Sequence, residues 1–363
     1  MKRIFILLVT LCLLLAACGK QPEQTPETKA ATEAPTTQST EPSTEPVVEP
    51  EPVPTVIRHP MNGTVLEAPF TGRPTAIVLS NDTDALPQHS LSQADFIVEA
   101  EVEAGITRLL AIYSDIASVE GKIGPIRSAR SFFNNVSLSF NAPIIHCGGS
   151  HWGINGYMDD TNKIENWVHI NEQNNGSYFY RDPERSNYLS WLNLFTNADK
   201  LVKGLTDKEY MPDGKTVTDF GFTFDENVDL KGEAATKITV NFKGSKTTGL
   251  TYNADTKTYA ARQYGRDHID GNTGKALNYN NVICIYTDHT GIYDGEYTRS
   301  FYKLVGEGTG HFACNGQIVP IKWSREEATK PFSFTLEDGT PITLNVGKTY
   351  FGIASNTVSV DYE

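Results

Sequence analysis

Short apolar runs separated by polar turns predict a mixture of strands and helices in the first half of the folded chain. Four of these runs have the length and composition of strands, at 75–79, 96–103, 108–113 and 143–146. Gly105 lies between the second and third runs, so we expect these two strands to form a hairpin. Apolar residues recur at helical spacing within 128–140 and 187–202, which predicts a helix in each segment.

From about residue 219 the pattern becomes strand-like almost throughout. Apolar runs or alternating residues separated by Gly, Asn and Asp predict strands at 220–224, 238–242, 281–286, 317–323, 332–336, 342–346 and 350–354. A short segment at 324–328 is the only helical candidate here. This half is therefore expected to form a β-sandwich or open barrel. The turn residues Pro212-Asp213-Gly214 place the boundary between the two halves near 211–218.

The first eighteen residues have the pattern of an export signal. Lys2 and Arg3 precede an apolar run over 4–15, and Leu15-Ala16-Ala17-Cys18 follows. Cys18 after two small residues resembles a bacterial lipobox, which implies that its thiol takes a diacylglycerol and becomes the mature N-terminus. A membrane-spanning anchor is the alternative, but the run is about six residues too short for it. Two acyl chains would give stable anchoring.

Residues 19–55 have the composition of a disordered spacer. They contain eight Pro, eight Thr, seven Glu and no aromatic residue, too little apolar surface to offset the entropy of ordering. The sequence therefore predicts an α+β protein in four parts. These are a signal peptide at 1–17, the lipidated Cys18 and spacer at 18–55, a mixed α/β domain at 56–212 and a mostly-β domain at 213–363.

The charge balance narrows the range of partners. The chain of 363 residues carries 31 Lys and Arg against 44 Asp and Glu, a formal net charge of −13. This acidic balance argues against nucleic-acid binding and against adsorption to anionic lipid. Three cysteines remain beyond Cys18, and the sequence leaves open whether Cys284 and Cys314 pair. We predict no cofactor and no metal site, because His146 and His151 are explained more simply as strand-end histidines.

The candidate chemistry is concentrated between residues 95 and 150. Glu99, Glu101 and Glu103 occur at period two on one predicted strand, so they are expected to share a face. Arg108, Arg127 and Arg130 follow, and a Gly-Pro turn places Arg127 just before the first predicted helix. A turn, a helix N-terminus and guanidinium groups together form a plausible anion site. The candidate ligand-binding residues are Glu101, Glu103, Arg108, Arg127, Arg130, His146 and Ser150.

An alternative interpretation of the same residues is structural. The glutamates and arginines could pair with one another and hold the domain together, without contacting a ligand. Ser150 follows the small-residue turn Gly148-Gly149 but is not in a GxSxG nucleophile motif. No phosphate-binding GxxxxGK motif and no catalytic-triad pattern is present, so no particular reaction follows from the sequence.

The order of motifs resembles the YerB-type lipoproteins, a family defined by an N-terminal and a C-terminal domain of unknown function. The most specific segments are Glu103-Ala104-Gly105-Ile106-Thr107-Arg108 and Gly124-Pro125-Ile126-Arg127-Ser128-Ala129-Arg130. Ser90 and Ala104 stand where the family pattern favours Gly, and the Pro-His expected before Asn187 is absent. The resemblance implies lipoprotein topology and the pair of domains, but no activity.

We therefore expect a bacterial lipoprotein anchored through Cys18 on the extracytoplasmic face of the membrane, most simply in a Gram-positive cell. The leading functional hypothesis is a non-enzymatic binding or interaction protein of the cell envelope. The alternative is binding, or transfer, of a phosphate-bearing wall precursor or polymer through the arginines. A solute receptor for a transporter fits the anchor but fits the layout less well, because such receptors usually have two similar α/β lobes. The expected partners are the membrane and either an envelope protein or an anionic wall ligand, with no nucleic acid.

Overall fold

The computed structural model describes residues 56–103, 105–149, 168–216, 218–243, 246–293 and 297–363. The predicted signal peptide, Cys18, the spacer, Ser150 and His151 lie outside these residues. None of the helices in the described residues is long and apolar enough to cross a membrane.

The first part of the chain contains eight strands and three helices among its described residues. The strands are β1 (Thr75–Ser80), β2 (Phe96–Glu103), β3 (Ile106–Tyr113), β4 (Lys122–Ile123), β5 (Ile144–His146), β6 (His169–Asn171), β7 (Tyr180–Arg181) and β8 (Leu194–Asn197). The helices are α1 (Ser131–Ser139), α2 (Glu172–Asn175) and α3 (Ala198–Asp207). Short 3-10 turns occur at Thr83–Ala85, Leu91–Gln93, Ile116–Ser118, Gly176–Tyr178, Pro183–Arg185 and Ser190–Leu192.

The described residues after 212 form strands and connecting turns. The strands are β9 (Thr223–Asp225), β10 (Glu233–Ala234), β11 (Lys237–Asn241), β12 (Thr247–Asn253), β13 (Thr258–Gln263), β14 (Arg266–Asp267), β15 (Asn278–Tyr279), β16 (Asn281–Thr287), β17 (His289–Tyr293), β18 (Thr298–Tyr302), β19 (Gly306–Cys314), β20 (Gln317–Arg325), β21 (Ser333–Thr335), β22 (Thr343–Asn345), β23 (Thr349–Ser355) and β24 (Val360–Tyr362). The protein is thus mostly β, with few helices.

One large sheet joins strands from both parts of the chain. Its order is β10-β20-β19-β16-β23-β2-β3-β1-β5-β6, with β21 added to β20. The join is the parallel pairing of β2 with β23, in which Phe96 lies opposite Thr349. The predicted β2–β3 hairpin is present, with Phe96 opposite Ile112. The sheet is therefore continuous across the position at which the sequence predicts a boundary between two domains.

The large sheet is covered on both faces. On one face, Phe132, Phe133 and Val136 of α1 pack in a buried cluster with Val98 and Leu110 of the sheet. On the other face, a second sheet in the order β14-β13-β12-β11-β24, with β15 added to β13, packs against the same strands. Burial of both faces explains why β1 and β3 are almost continuously apolar in sequence.

The predicted helix at 187–202 is wrong in its position. Leu194 and Phe195 are buried in β8, while Tyr188 and Trp191 are exposed. The helix α3 begins only after Asn197, whose side chain accepts a hydrogen bond from the Lys200 N–H at 3.0 Å. This cap fixes the start of the helix. The short helix expected at 324–328 is also not formed, because β20 continues to Arg325.

The positions of the cysteines in the large sheet show whether Cys284 and Cys314 can form a disulfide. Cys147, Cys284 and Cys314 are free thiols. Cys284 and Cys314 lie on neighbouring strands, but Cys284 belongs to the buried cluster on one face of the sheet and Cys314 to the cluster on the other. Since a disulfide requires the two Cβ atoms to face each other, these thiols cannot bond.

Candidate anion site at the arginine cluster

Several predicted site residues meet at one edge of the large sheet. Strands β1, β5 and β6 are parallel neighbours, and β1 and β2 both pair antiparallel with β3. The carboxyl ends of β1, β2, β5 and β6 therefore lie along the same edge, which is where ligands commonly bind in open sheets with parallel strands. Glu103 ends β2, His146 ends β5, and Arg108 lies near the start of β3 at this edge.

Glu103 is the centre of a cluster of arginines. Its Oε1 lies 3.0 Å from Arg108 Nη2 and 3.2 Å from Arg299 Nη1. Its Oε2 lies 2.6 Å from Arg130 Nη2 and accepts a second bond from Arg130 Nε at 3.1 Å. Burial of Glu103 opposes its ionisation, but the attraction of these arginines, first Arg108, outweighs that effect and lowers the pKa of the carboxyl.

Arg108 and Arg130 also donate hydrogen bonds to backbone carbonyls. Arg108 Nη1 donates to the Ser128 carbonyl at 2.6 Å, and Arg130 Nη1 donates to the Ala129 carbonyl at 2.8 Å. Both arginines are buried, and a buried ion pair left without one partner is strongly destabilising. For these two arginines, the pairing with Glu103 favours the structural interpretation of the sequence, in which they hold the segment before α1 against the hairpin.

A β-bulge explains why Glu103 reaches the arginines. The register of β2 against β3 shifts between Glu101 and Glu103. Before the shift, Ala100 lies opposite Arg108, so these two residues share one face of the sheet. Glu99 lies opposite Leu109, and this pair is on the other face. The extra residue turns Glu103 to the face of Arg108. The expectation that Glu99, Glu101 and Glu103 share one face is therefore wrong, because a strict period of two holds only in a regular strand.

Glu99 belongs to a different network between the two sheets. One oxygen accepts bonds from Asn81 Nδ2 at 2.9 Å and Thr107 Oγ1 at 2.7 Å, and the other accepts from Thr248 Oγ1 at 2.8 Å and Tyr350 Oη at 2.9 Å. Lys246 Nζ lies 3.4 Å away. With this many partners, Glu99 is a buried structural carboxylate.

Glu101 differs from both of its neighbours. The side chain is buried, and its Oε2 has no hydrogen-bond partner among the described residues. Burial raises its pKa to about 7, against the opposing effects of the Gly105 N–H and the charge of Lys243. No arginine of the described residues pairs with it. Glu101 therefore lies beside the cluster in sequence but does not neutralise it.

Arg127 is the arginine that remains available. Its backbone is fixed, since its N–H donates to the Val78 carbonyl at 2.9 Å and its carbonyl accepts from Cys147 N at 3.1 Å. Its guanidinium has no hydrogen bond or ion pair with any described residue, although the charges of Glu103 and Asp82 act on it from a greater distance. Half-buried and without a partner among the described residues, Arg127 is the group best placed to contact a ligand.

His146 is a positioning residue. Its Nδ1 lies 2.7 Å from the Gly148 carbonyl, which can only accept, so Nδ1 carries the proton. Its Nε2 then accepts from His169 Nδ1 at 3.0 Å. Burial lowers the pKa of His146 to about 4, which leaves the ring neutral at physiological pH. His146 therefore orders the Gly148 turn beside Arg127 and adds no charge. Ser150, predicted for the same turn, lies outside the described residues.

The cluster has a surplus of positive charge. Arg108, Arg127 and Arg130 lie around the carboxylate of Glu103, and no other carboxylate of the described residues pairs with these three arginines. This is a formal surplus of two charges in a protein that is acidic overall. Next to them, α1 begins with Arg130 as its N-cap, without a side-chain cap and without an acidic residue in its first turn. Guanidinium groups beside the amide end of a helix favour an anion.

Arg299 was not among the residues singled out from the sequence. It lies on the β17–β18 hairpin, far along the chain from Arg127, and reaches Glu103 only through the tertiary fold. No motif or spacing distinguishes it from other surface arginines. In the described part of the chain, no group of three or more His, Cys, Asp or Glu side chains is arranged to hold a metal ion.

The chain matches two family models, one for an N-terminal and one for a C-terminal domain, and both describe proteins of unknown function. Residues 63–211 match the model described as "Protein of unknown function (DUF3048) N-terminal domain", and residues 238–351 match that of the corresponding C-terminal domain. The chain therefore belongs to this family. The YerB-type resemblance seen in the motifs is confirmed.

The sequence and the crystal structure of YerB from Bacillus subtilis support the assignment. The chain is 27% identical over 302 residues to "Putative lipoprotein YerB" of strain 168, covering 79% of this chain and 86% of that protein. It also matches the crystal structure of YerB with a TM-score of 0.70 and 24% identity, covering 85% of this chain and 99% of that one. At this identity, the second likeness shows a shared fold.

Proposed function

We propose that this chain is a lipid-anchored envelope protein that binds an anionic ligand at the arginine cluster. Membrane attachment is supported by Cys18 in its lipobox-like context and by the name of the Bacillus subtilis relative. Anion binding rests on one observation above all. Among the described residues, Arg127 has a guanidinium without a hydrogen bond or ion pair, and it lies next to Arg108 and Arg130, which pair with one carboxylate, that of Glu103.

A phosphate group fits this arrangement better than a carboxylate. Glu103 already supplies one carboxylate, and the remaining surplus of charge matches a ligand with more than one negative charge. Arginine binds phosphate through two parallel N–H bonds, and the backbone hydrogen bonds of Arg127 fix the position of this residue, whose charge acts on Arg108 and Arg130. These contacts account for binding of a phosphate group, and no transfer reaction is needed to explain them. A phosphate-bearing wall polymer or its precursor is the class of ligand that such a site would meet outside the membrane.

The test is calorimetric titration of the protein with pyrophosphate at low and at physiological ionic strength. Arg127→Ala is expected to weaken binding by roughly 1.5–3 kcal/mol, the contribution of a hydrogen bond between charged groups. Its melting temperature should change little, because Arg127 has no partner among the described residues. Arg262→Ala is the matched control. It removes an equal charge from a half-exposed arginine that pairs with Asp267 on the second sheet.

Two outcomes would refute the proposal. The first is that the wild-type protein does not bind pyrophosphate, together with a large fall in melting temperature for Arg127→Ala; the arginines would then be purely structural. The second is equal loss of binding in both variants, which would show that only the total charge of the protein matters.

A further inference from the structure

A second concave site lies between residues that the anion site does not use. A cleft of about 400 Å³ opens between the Thr83–Ala85 turn, the loop around Tyr188 and strand β14. Its wall includes Thr83, Asp84, Asn187, Tyr188 and Arg266, and Leu192 is buried beneath it. The volume lies within the range of small-molecule sites. None of the arginines that surround Glu103 lines it.

Tyr188 is a fixed aromatic surface in this cleft. Its side chain is 43% exposed, and the guanidinium carbon of Arg185 lies 5.1 Å from the centre of its ring. Arg185 is itself held, because it donates to the Ala85 carbonyl at 3.0 Å and to the Pro87 carbonyl at 2.5 Å. One face of the Tyr188 ring therefore contacts the fixed guanidinium of Arg185. A ring positioned in this way loses little entropy when it binds a ligand.

The polar groups of the cleft are balanced in charge and have hydrogen-bonding capacity left. Asp84 and Arg266 line the same cleft but form no ion pair with each other or with other described residues. One amino group of Arg266 donates to the Thr83 carbonyl at 3.0 Å, which orients the guanidinium and leaves its other N–H groups free for a ligand. The Asn187 amide can both donate and accept. The cleft thus offers donors and acceptors around an aromatic ring, with no net charge.

We propose that this cleft binds a neutral carbohydrate segment of one or two sugar rings. A pyranose ring has an apolar C–H face that packs on an aromatic side chain, and a rim of hydroxyls that both donate and accept hydrogen bonds. An apolar ligand fits poorly, since it would remove water from Asp84 and Arg266 without replacing their hydrogen bonds. A polyanion gains nothing here, because the two charges cancel.

The experiment is a calorimetric titration of the full mature chain, first with chitotetraose and then, in a separate titration, with maltotetraose. Saturable binding of at least one oligosaccharide is expected. Tyr188→Ala should weaken it by about tenfold or more, which corresponds to about 1.4 kcal/mol. Trp191→Ala is the matched control, since Trp191 is an exposed aromatic residue of the same loop that does not line the cleft. It should bind like the wild type.

The proposal would be overturned if neither oligosaccharide bound at millimolar concentration, or if Tyr188→Ala bound as tightly as the wild type while keeping its melting temperature. Equal losses in Tyr188→Ala and Trp191→Ala would also overturn it, by showing nonspecific contact with exposed aromatic residues. The outcome is independent of the anion site. Arg127→Ala should leave oligosaccharide binding unchanged, so the two sites can fail separately.

Discussion

Neutralising Glu103 is the most direct test of how the arginine cluster is held together. Glu103→Gln keeps the size of the side chain but removes the carboxylate that pairs with Arg108, Arg130 and Arg299. Arg108 and Arg130 are 4% and 3% exposed, so water cannot replace the lost partner. Breaking a buried ion pair by removing one member costs about 3–5 kcal/mol. We expect a loss of this size, or a fall of roughly 6–10 °C in melting temperature for a chain of this length.

Glu101→Gln provides the control for this experiment. It makes the same chemical change two residues away, at a carboxyl that pairs with no arginine of the described residues. Burial already raises the pKa of Glu101 to about 7, so the neutral amide should be tolerated at that pH. Thermal unfolding of the two variants, followed by circular dichroism, therefore distinguishes loss of the ion pairs from a general effect of altering β2.

Added anion should rescue the Glu103 variant. If the cluster binds phosphate groups, pyrophosphate should restore part of the lost stability of Glu103→Gln and raise its melting temperature more than that of the wild type. A fall of less than about 2 °C for Glu103→Gln would contradict the argument that Glu103 compensates buried charge. An unfolded variant that pyrophosphate does not rescue would leave Glu103 as a structural residue and count against an anion at this position.

Three further outcomes can be measured on the same protein. Cys18→Ala should move the folded part out of the membrane fraction and abolish labelling with a fatty acid; retention with label intact would exclude Cys18 as the anchor. Limited proteolysis should cut within 19–55, which lacks aromatic residues, before any site near 211–218, and mass spectrometry of the fragments would show the reverse order if the boundary were the looser segment. Because the pKa of Glu101 is raised in the folded state, the folded protein holds a proton that the unfolded chain releases. Stability should therefore fall as the pH rises from about 4.5 to about 7, and Glu101→Gln should remove that slope in urea unfolding.

The local pattern of the sequence was sufficient to predict most strands and the first helix. The strand predicted at 96–103 and its hairpin partner have the expected positions, because their apolar residues are buried on both faces of the large sheet. The helix at 187–202 was wrong for a physical reason. Tyr188, Trp191 and Phe195 have helical spacing, but only Phe195 is buried, in β8 against β4 and β7. Periodicity indicates a helix only if the apolar residues share one buried face.

The site was predictable only in part, since its assembly depends on contacts between distant segments. The clustering of Arg108, Arg127 and Arg130 near a carboxylate was visible in the sequence. Which carboxylate they meet was not, because a β-bulge decides that Glu103 and not Glu101 turns toward them. The contribution of Arg299 was invisible as well, since nothing in the sequence around it indicates that its hairpin would reach the end of β2.

The pairing of β2 with β23 links the two family domains at this site. The segment that matches the N-terminal model ends at residue 211, yet β2 has β23 as its neighbour on the side away from β3. Without the later strands, β2 would be an exposed, apolar edge, which favours aggregation. Glu103 would also lose Arg299, and Glu99 would lose Thr248, Tyr350 and Lys246. The arginine cluster is therefore a property of the whole folded chain, and a ligand bound there would stabilise both family domains together.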